Sequence, residues 1–374
     1  MRVYLFLLLL SAAVTFLTTP AVRLLARRAG AMTAVRARDM HDVVTPRWGG
    51  VAMLLGVTAA MLVASRVPFL EGLFEDSGQP WAILVAGALV CLLGAADDKW
   101  DLDWLTKLAG QILAAVLLAW QGVQLVSLPI NGVMLLSPRG ALILTVLVVV
   151  VSMNAVNFVD GLDGLAAGVM AIGGTAFFIY AYLLTRTASA TDFSSLAALV
   201  TAILIGACLG FLPHNLDRAR IFMGDSGSML LGLLLATSTI TVTGQVDPAR
   251  LSGADVFGQF LPILLPIGVM FVPFLDFALA VVRRIGSGKS PFHADALHLH
   301  HRLLALGHSK RGAVLIMYTW TVVVCVGLLL PVFLDVRTSV AFWVIGGGFA
   351  LAVTIGPLTR LLKRSRKEPA DAQH

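Results

Sequence analysis

Charge is scarce in this chain. Only 13% of its 374 residues are Asp, Glu, Lys or Arg, while 58% are apolar and the mean hydropathy is +0.89. That balance excludes an ordinary soluble domain, which carries about 25% charged residues. Cysteine is scarce too. Cys91, Cys208 and Cys325 all fall in apolar runs, in neither metal-ligand nor disulfide spacing, which leaves them as small core residues. There is no basic domain to grip a duplex, because the net charge of +6 is spread over connecting segments, so nucleic acid is excluded as a partner. A phosphate-binding loop is also missing: GSGKS at 286–290 imitates the end of one, but the required first Gly would be residue 283, which is Arg, and no strand precedes it. Nor is the first apolar run a cleavable leader, since its basic cluster follows it and no small-residue cleavage site comes next.

What the chain has instead is apolar runs long enough to cross lipid. A span needs about 20 such residues. We read about eleven, near 3–19, 49–67, 81–96, 105–121, 140–156, 164–184, 195–212, 226–243, 258–282, 313–333 and 339–357. The third is short enough to need a borrowed turn or a thinned bilayer. The expected fold is therefore an all-α, polytopic integral membrane protein: one transmembrane domain over 1–360 and a basic tail over 361–374. Lys and Arg are retained on the cytoplasmic side. With the N-terminus outside and the C-terminus cytoplasmic, 21 of the 27 fall inside, so that orientation is expected. The Lys363–Lys367 stretch suits anionic headgroups.

Carboxylates are costly in lipid and mark function when they occur near spans. Here they collect at the inner junctions: Asp97, Asp98, Asp101 and Asp103 after the third span, Asp160 and Asp163 between the fifth and sixth, Asp217 and Asp225 between the seventh and eighth. Outer loops such as 68–80 and 244–257 carry no such spacing. This distribution predicts a site at one membrane surface rather than a pathway through it.

Three clusters stand out. In NAVNFVDGLDGLAAG, Asn154, Asn157, Asp160 and Asp163 recur every three residues. On an unbroken helix each step drifts about 60°, so the four would sweep half the circumference. Gly161 and Gly164 predict a break that lets them converge on a substrate cavity. Helix capping explains one of these residues, not four. The second cluster is Phe222, Met223, Gly224, Asp225, Ser226, Gly227 and Ser228: small residues around one carboxylate, suited to a hard cation such as magnesium, with Asp225 the leading ligand and helix capping the competing reading. The third is the adjacent pair Asp97 and Asp98, followed by Lys107 and Gln111. Neighbouring carboxylates repel unless a cation or proton relieves them, as a catalytic pair requires. Asp101 and Asp103 read as solvated loop.

These blocks resemble the polyprenyl-phosphate N-acetylhexosamine 1-phosphate transferases, glycosyltransferase family 4. NAVNFVDGLDGLAAG, GAADDKWDLDWLTKLAGQ, RIFMGDSGSMLLG and SPFHADALHLHHRLL look like its signatures, and HDVVTPRWGG resembles its first inner loop more loosely. The match covers about residues 1–360. The histidine block resembles the undecaprenyl-phosphate GlcNAc-1-phosphate transferase branch more than the phospho-N-acetylmuramoyl-pentapeptide transferases. The resemblance implies magnesium, with manganese as a substitute, on Asp225 with Asn157 as second ligand; Lys107 on a phosphate; Asp97 and Asp98 as the family's aspartate pair; and Phe222, Asp160 and Asp163 near the nucleotide. It implies a UDP-N-acetylglucosamine or related donor, a polyprenyl phosphate acceptor, the bacterial inner membrane with the site facing the cytoplasm, and leaves room for a homodimer.

His293, Asp295, His298, His300, His301 and Arg302 lie in one inner loop after a span interrupted by Pro262, Pro266 and Pro273. A Pro-broken helix there would lay the loop over the site as donors to diphosphate or sugar. A zinc site is the rival reading, without a clear tetrahedral set. Asp276 either pairs with Arg283 and Arg284 or faces the site edge. The expected reaction transfers a sugar 1-phosphate to the lipid phosphate, releases UMP and opens cell-wall or surface polysaccharide synthesis. The muramoyl pentapeptide is an alternative donor. A transporter is the alternative of another class, disfavoured because its polar groups would lie at the midplane with internal symmetry.

Overall fold

The structure is a computed structural model that describes residues 1–32, 44–128, 134–188, 194–216, 218–243, 256–269, 271, 275, 282, 285, 286 and 299–371, with the backbone alone at 128, 187–188, 256–259, 262, 263, 266, 299–301 and 357–371. In chain order the helices are α1 (Arg2–Ala29), α2 (Gly49–Ala64), α3 (Glu71–Glu75), α4 (Gln79–Trp100), α5 (Trp104–Trp120), α6 (Pro138–Val159), α7 (Leu165–Ala188), α8 (Leu196–Asn215), α9 (Gly224–Thr243), α10 (Val256–Val269), α11 (Leu299–Ala305), α12 (Lys310–Leu329) and α13 (Val336–Asp371). A two-residue antiparallel pair, Ser127–Leu128 with Met134–Leu135, closes the α5–α6 connection. Among the described residues eight helices are long and apolar enough to cross a membrane, and α2 and α5 are shorter apolar helices. The chain is thus an all-α, multi-pass membrane protein.

Several helices run past the ends that hydropathy alone suggests. The third span is not short: α4 has 22 residues and carries Asp97 and Asp98 inside its last turn. A carboxylate near a helix end lowers the average hydropathy without breaking the backbone ladder, so periodicity stops before the helix does. α10 stays helical through Pro262 and Pro266, as transmembrane helices allow when neighbours satisfy the freed carbonyls. The region around Pro273 lies outside the described residues.

Enclosure falls from centre to edge. In α9, 94% of the span is buried, against 11% in α13, so α9 is the axis of the bundle and α13 a lipid-facing margin. α9 packs against α2, α4, α6 and α8. With hydrocarbon on both sides of an exchange, apolar burial contributes little to helix association in lipid, and close backbone contact replaces it. Two glycines show this at the end that matters. A side chain at Gly50 would overlap the backbone of Ser226 and Gly227, and one at Gly94 would overlap that of Asp225 and Ser226. α2 and α4 therefore touch the start of α9 directly.

Candidate active site

Alternation of the helices brings the C-terminal ends of α4 and α6 and the N-terminal ends of α5 and α9 to one end of the bundle. The α4–α5 turn is short because each side is capped. Asp101 adopts φ +54° at the end of α4, and Asp103 accepts from Leu105 and Thr106 N–H to start α5. The Thr106 hydroxyl and N–H hold the Asp103 carboxyl below its usual range. The turn sets Lys107 opposite the last turn of α4.

Asp97 and Asp98 are adjacent, so they point about 100° apart around α4. They take different partners. Asp97 Oδ1 accepts from Leu102 N–H at 2.9 Å, and Oδ2 accepts from Lys107 Nζ at 2.9 Å. The same ammonium also binds Asp225 Oδ2. Asp225 Oδ1 accepts from Asn157 Nδ2 at 2.8 Å, and that amide donates as well to Ser228 Oγ at 2.9 Å. With both amide protons committed, the Asn157 carbonyl oxygen is the donor atom left for a cation.

Asp98 faces α9 instead. It is 6% exposed, and its two oxygens accept from Asp225 N–H at 3.1 Å and Ser226 N–H at 3.4 Å, with Arg47 Nη1 at 3.8 Å. A buried carboxylate on otherwise unmade helical N–H groups is a cap supplied from another helix. Gly224, at φ +71°, gives it room, since a side chain there would run into that carboxylate. We therefore expect Asp98→Asn to lower stability by about 2 kcal/mol, the scale of a hydrogen bond to a charged group. Asp97→Asn should leave the unfolding temperature almost unchanged while reducing turnover. Thermal unfolding and turnover measured on both variants check the split; equal unfolding temperatures would sink it.

The first inner loop contributes more than its loose resemblance suggests. Phe222 N–H donates to Pro46 O at 2.8 Å, while Gly49 and Gly50 N–H donate to Phe222 and Met223 O at 3.0 Å each. Trp48, at φ +85°, donates from Nε1 to Ala95 O at 2.8 Å. These contacts stitch 46–50 to the segment before Asp225 and carry Arg47 to Asp98.

The charge balance tests whether a cation fits. Asp97, Asp98, Asp160 and Asp225 are gathered around Lys107 and Arg47, a surplus of negative charge in a partly buried place. Burial first, then the charges of Asp225 and Asp98, push the Asp160 carboxyl up to about 7. Carboxylate and amide oxygens from α6 and α9 with unanswered negative charge fit a hard divalent cation.

The break expected at Gly161 and Gly164 is present, since α6 ends at Val159 and α7 begins at Leu165 with Gly164 at φ +76° between them, and of the residues spaced by three Asn154, Asn157 and Asp163 take separate partners. Asn157 reaches Asp225. Asn154 donates to Gln111 Oε1 on α5 at 2.8 Å and to its own helix at Val150 O, and Gln111 Nε2 in turn contacts Met229 Sδ on α9. Asn154 thus ties three helices together. Asp163 accepts from Ala219 N–H at 3.0 Å, joining the loop before α7 to the loop before α9. Asn215, which the sequence reading passed over, accepts from Gly164 N–H at 2.9 Å and donates to Ile221 O at 3.0 Å across the same two loops. Its only sequence signal was an amide at the inner end of a span. Asp276, His293, Asp295 and His298 lie outside the described residues. His300, His301 and Arg302 fall in α11, where Arg302 is exposed.

Comparisons with known proteins bear on this geometry. Residues 80–243, which run from α4 to the end of α9, match the family model described as glycosyl transferase family 4. The decaprenyl-phosphate N-acetylglucosaminephosphotransferase of Mycobacterium tuberculosis is 44% identical over 361 residues, 95% of this chain and 88% of that protein. A probable undecaprenyl-phosphate N-acetylglucosaminyl 1-phosphate transferase of Bacillus subtilis is 31% identical, covering 87% and 82%. The phospho-N-acetylmuramoyl-pentapeptide-transferase of Desulforudis audaxviator is 31% identical, covering 79% and 85%.

Proposed function

This chain belongs to glycosyl transferase family 4, and from that membership we propose that it transfers N-acetylglucosamine 1-phosphate from its UDP-sugar to a polyprenyl phosphate at the cytoplasmic face of the bacterial inner membrane. The observation that carries this reading is the 44% identity, over 95% of the chain, to a protein named for transfer of that sugar phosphate to decaprenyl phosphate. The weaker likeness to a muramoyl-pentapeptide transferase favours the N-acetylglucosamine donor over the peptide-bearing one. The product, a lipid-linked sugar diphosphate, would open the synthesis of a cell-wall or surface polysaccharide.

In the proposed reaction an oxygen of the lipid phosphate attacks the sugar-bearing phosphorus and breaks its bridge to the uridine-bearing phosphate. UMP leaves. One phosphoanhydride replaces another, so the exchange is near balance and later consumption of product draws it forward. The second pKa of a phosphate monoester is about 6, so at neutral pH the acceptor is already largely ionised and needs no strong base.

The protein's task is to bring two anions together. Lys107 offsets their charge, and Asp97 holds that ammonium in place. A magnesium ion, or manganese in its stead, would be held by Asp225 and the Asn157 carbonyl oxygen, and when bound it supplies positive charge opposite the phosphates. Asp98 acts on the start of α9 rather than on substrate. Asp160, Asp163 and Phe222 line the nucleotide side, and the histidine segment 293–302 supplies donors to the diphosphate or sugar.

Purified protein with a panel of UDP-sugars and radiolabelled polyprenyl phosphate tests the reading. UMP release with UDP-N-acetylglucosamine, abolished by chelator and restored by magnesium, is expected; solute uptake without UMP release would replace it with transport. No labelled sugar phosphate should be trapped on Asp97 or Asp98 when donor is given without acceptor, since the proposed displacement is single.

A further inference from the structure

Tyr318 sits on α12, remote in sequence from the three aspartate clusters. Its hydroxyl donates to Gly164 O at 2.5 Å. Gly164 is the residue just before α7, at φ +76°, and its N–H is taken by Asn215. Both backbone polar groups of Gly164, in the loop carrying Asp160 and Asp163, therefore meet side chains from two other helices, and the carbonyl also accepts from Gly168 N–H at 2.9 Å. The contact requires a groove. Gly168, one turn into α7, provides it, since a methyl there would overlap the hydroxyl and ring of Tyr318.

We propose that Tyr318 is a positioning residue for the donor nucleotide: seated against Gly168, it fixes Gly164 and so sets where Asp160 and Asp163 stand. Asp163 accepts from Ala219 N–H in the segment before Asp225, and Gly164 N–H donates to Asn215 at the end of α8. Tyr318 adds a tie to α12, which packs against α7 and α10. The loop is thus held to α8 through Asn215 and to α12 through Tyr318. The proposal rests on the reading that Asp160 and Asp163 face the nucleotide.

The experiment compares Tyr318→Phe, Gly168→Ala, the double variant and Asp163→Asn in full-length protein, with KM for UDP-N-acetylglucosamine, KM for polyprenyl phosphate and kcat measured separately. Tyr318→Phe should raise the donor KM about five-fold, the scale of one neutral hydrogen bond, with kcat and the acceptor KM nearly unchanged. Gly168→Ala should do the same by unseating the ring, although alanine is the better helix former, and the double variant should be no worse than either alone. A wild-type donor KM in Tyr318→Phe overturns the proposal, as does a uniform loss of activity with a lowered unfolding temperature, which marks a residue that only holds the fold. Asp163→Asn separates the two levels. If it raises the donor KM while Tyr318→Phe does not, the positioning role alone is wrong; if neither does, the nucleotide reading has failed and the positioning role with it.

Discussion

Asp225→Ala is expected to reduce UMP release by about a thousand-fold, at the upper end of what loss of one electrostatic stabiliser costs, and extra magnesium should not restore it. The side chain is the meeting point of three elements: it takes Lys107 from α5 and Asn157 from α6 while standing in the first turn of α9. Removing it leaves Lys107 on Asp97 and Asn157 on Ser228, so the lysine proposed to face phosphate and the amide proposed to hold the cation lose their common anchor. The fold should survive. Asp98 caps α9 through the backbone N–H groups of residues 225 and 226, which alanine keeps, and the Gly50 and Gly94 contacts are likewise to backbone. An unfolding temperature within a few degrees of wild type, together with lost turnover, is the expected pair of results. Retention of more than a tenth of the activity would remove Asp225 from the centre of the site.

How much of this was legible beforehand depends on which physical quantity the sequence encodes. Burial in lipid is a one-dimensional property of a segment, so the membrane class and the apolar runs could be read directly, and so could the clustering of carboxylates at alternate junctions. Direction around a helix could be read only where the helix ends were known. Asp97 and Asp98 looked like a repelling pair that needs a shared cation. Once α4 is seen to continue to Trp100, their 100° separation sends one to Lys107 and the other to the start of α9. In the Asn154–Asp163 series the break at Gly161 and Gly164 was legible, but the separate partners of Asn154, Asn157 and Asp163 were not. Arg47, Asn215 and Tyr318 were invisible for another reason. Each acts across 50 or more residues of sequence, and a single sequence has no local signal for a partner that far away.

Lys107→Met should reduce kcat by about a hundred-fold, and Lys107→Arg should recover little of it, although the arginine keeps the charge. The ammonium is a compact point donor placed between Asp97 Oδ2 and Asp225 Oδ2. A guanidinium is planar and spreads its donors in a fixed fork. It cannot occupy the gap between two carboxylates that converge on one atom without pushing α4 and α9 apart, and Gly94 has already brought those backbones into direct contact. The effect of Lys107→Met should also depend on Asp97. With lysine gone, Asp97 becomes an uncompensated carboxylate beside the incoming phosphates, so removing its charge as well should help: Asp97→Asn combined with Lys107→Met is expected to be more active than Lys107→Met alone. That sign is the informative part. If Asp97 acts as a base on the acceptor, losing it must make the double variant worse. If Asp97 serves to hold the ammonium, its charge is a liability once the ammonium has gone.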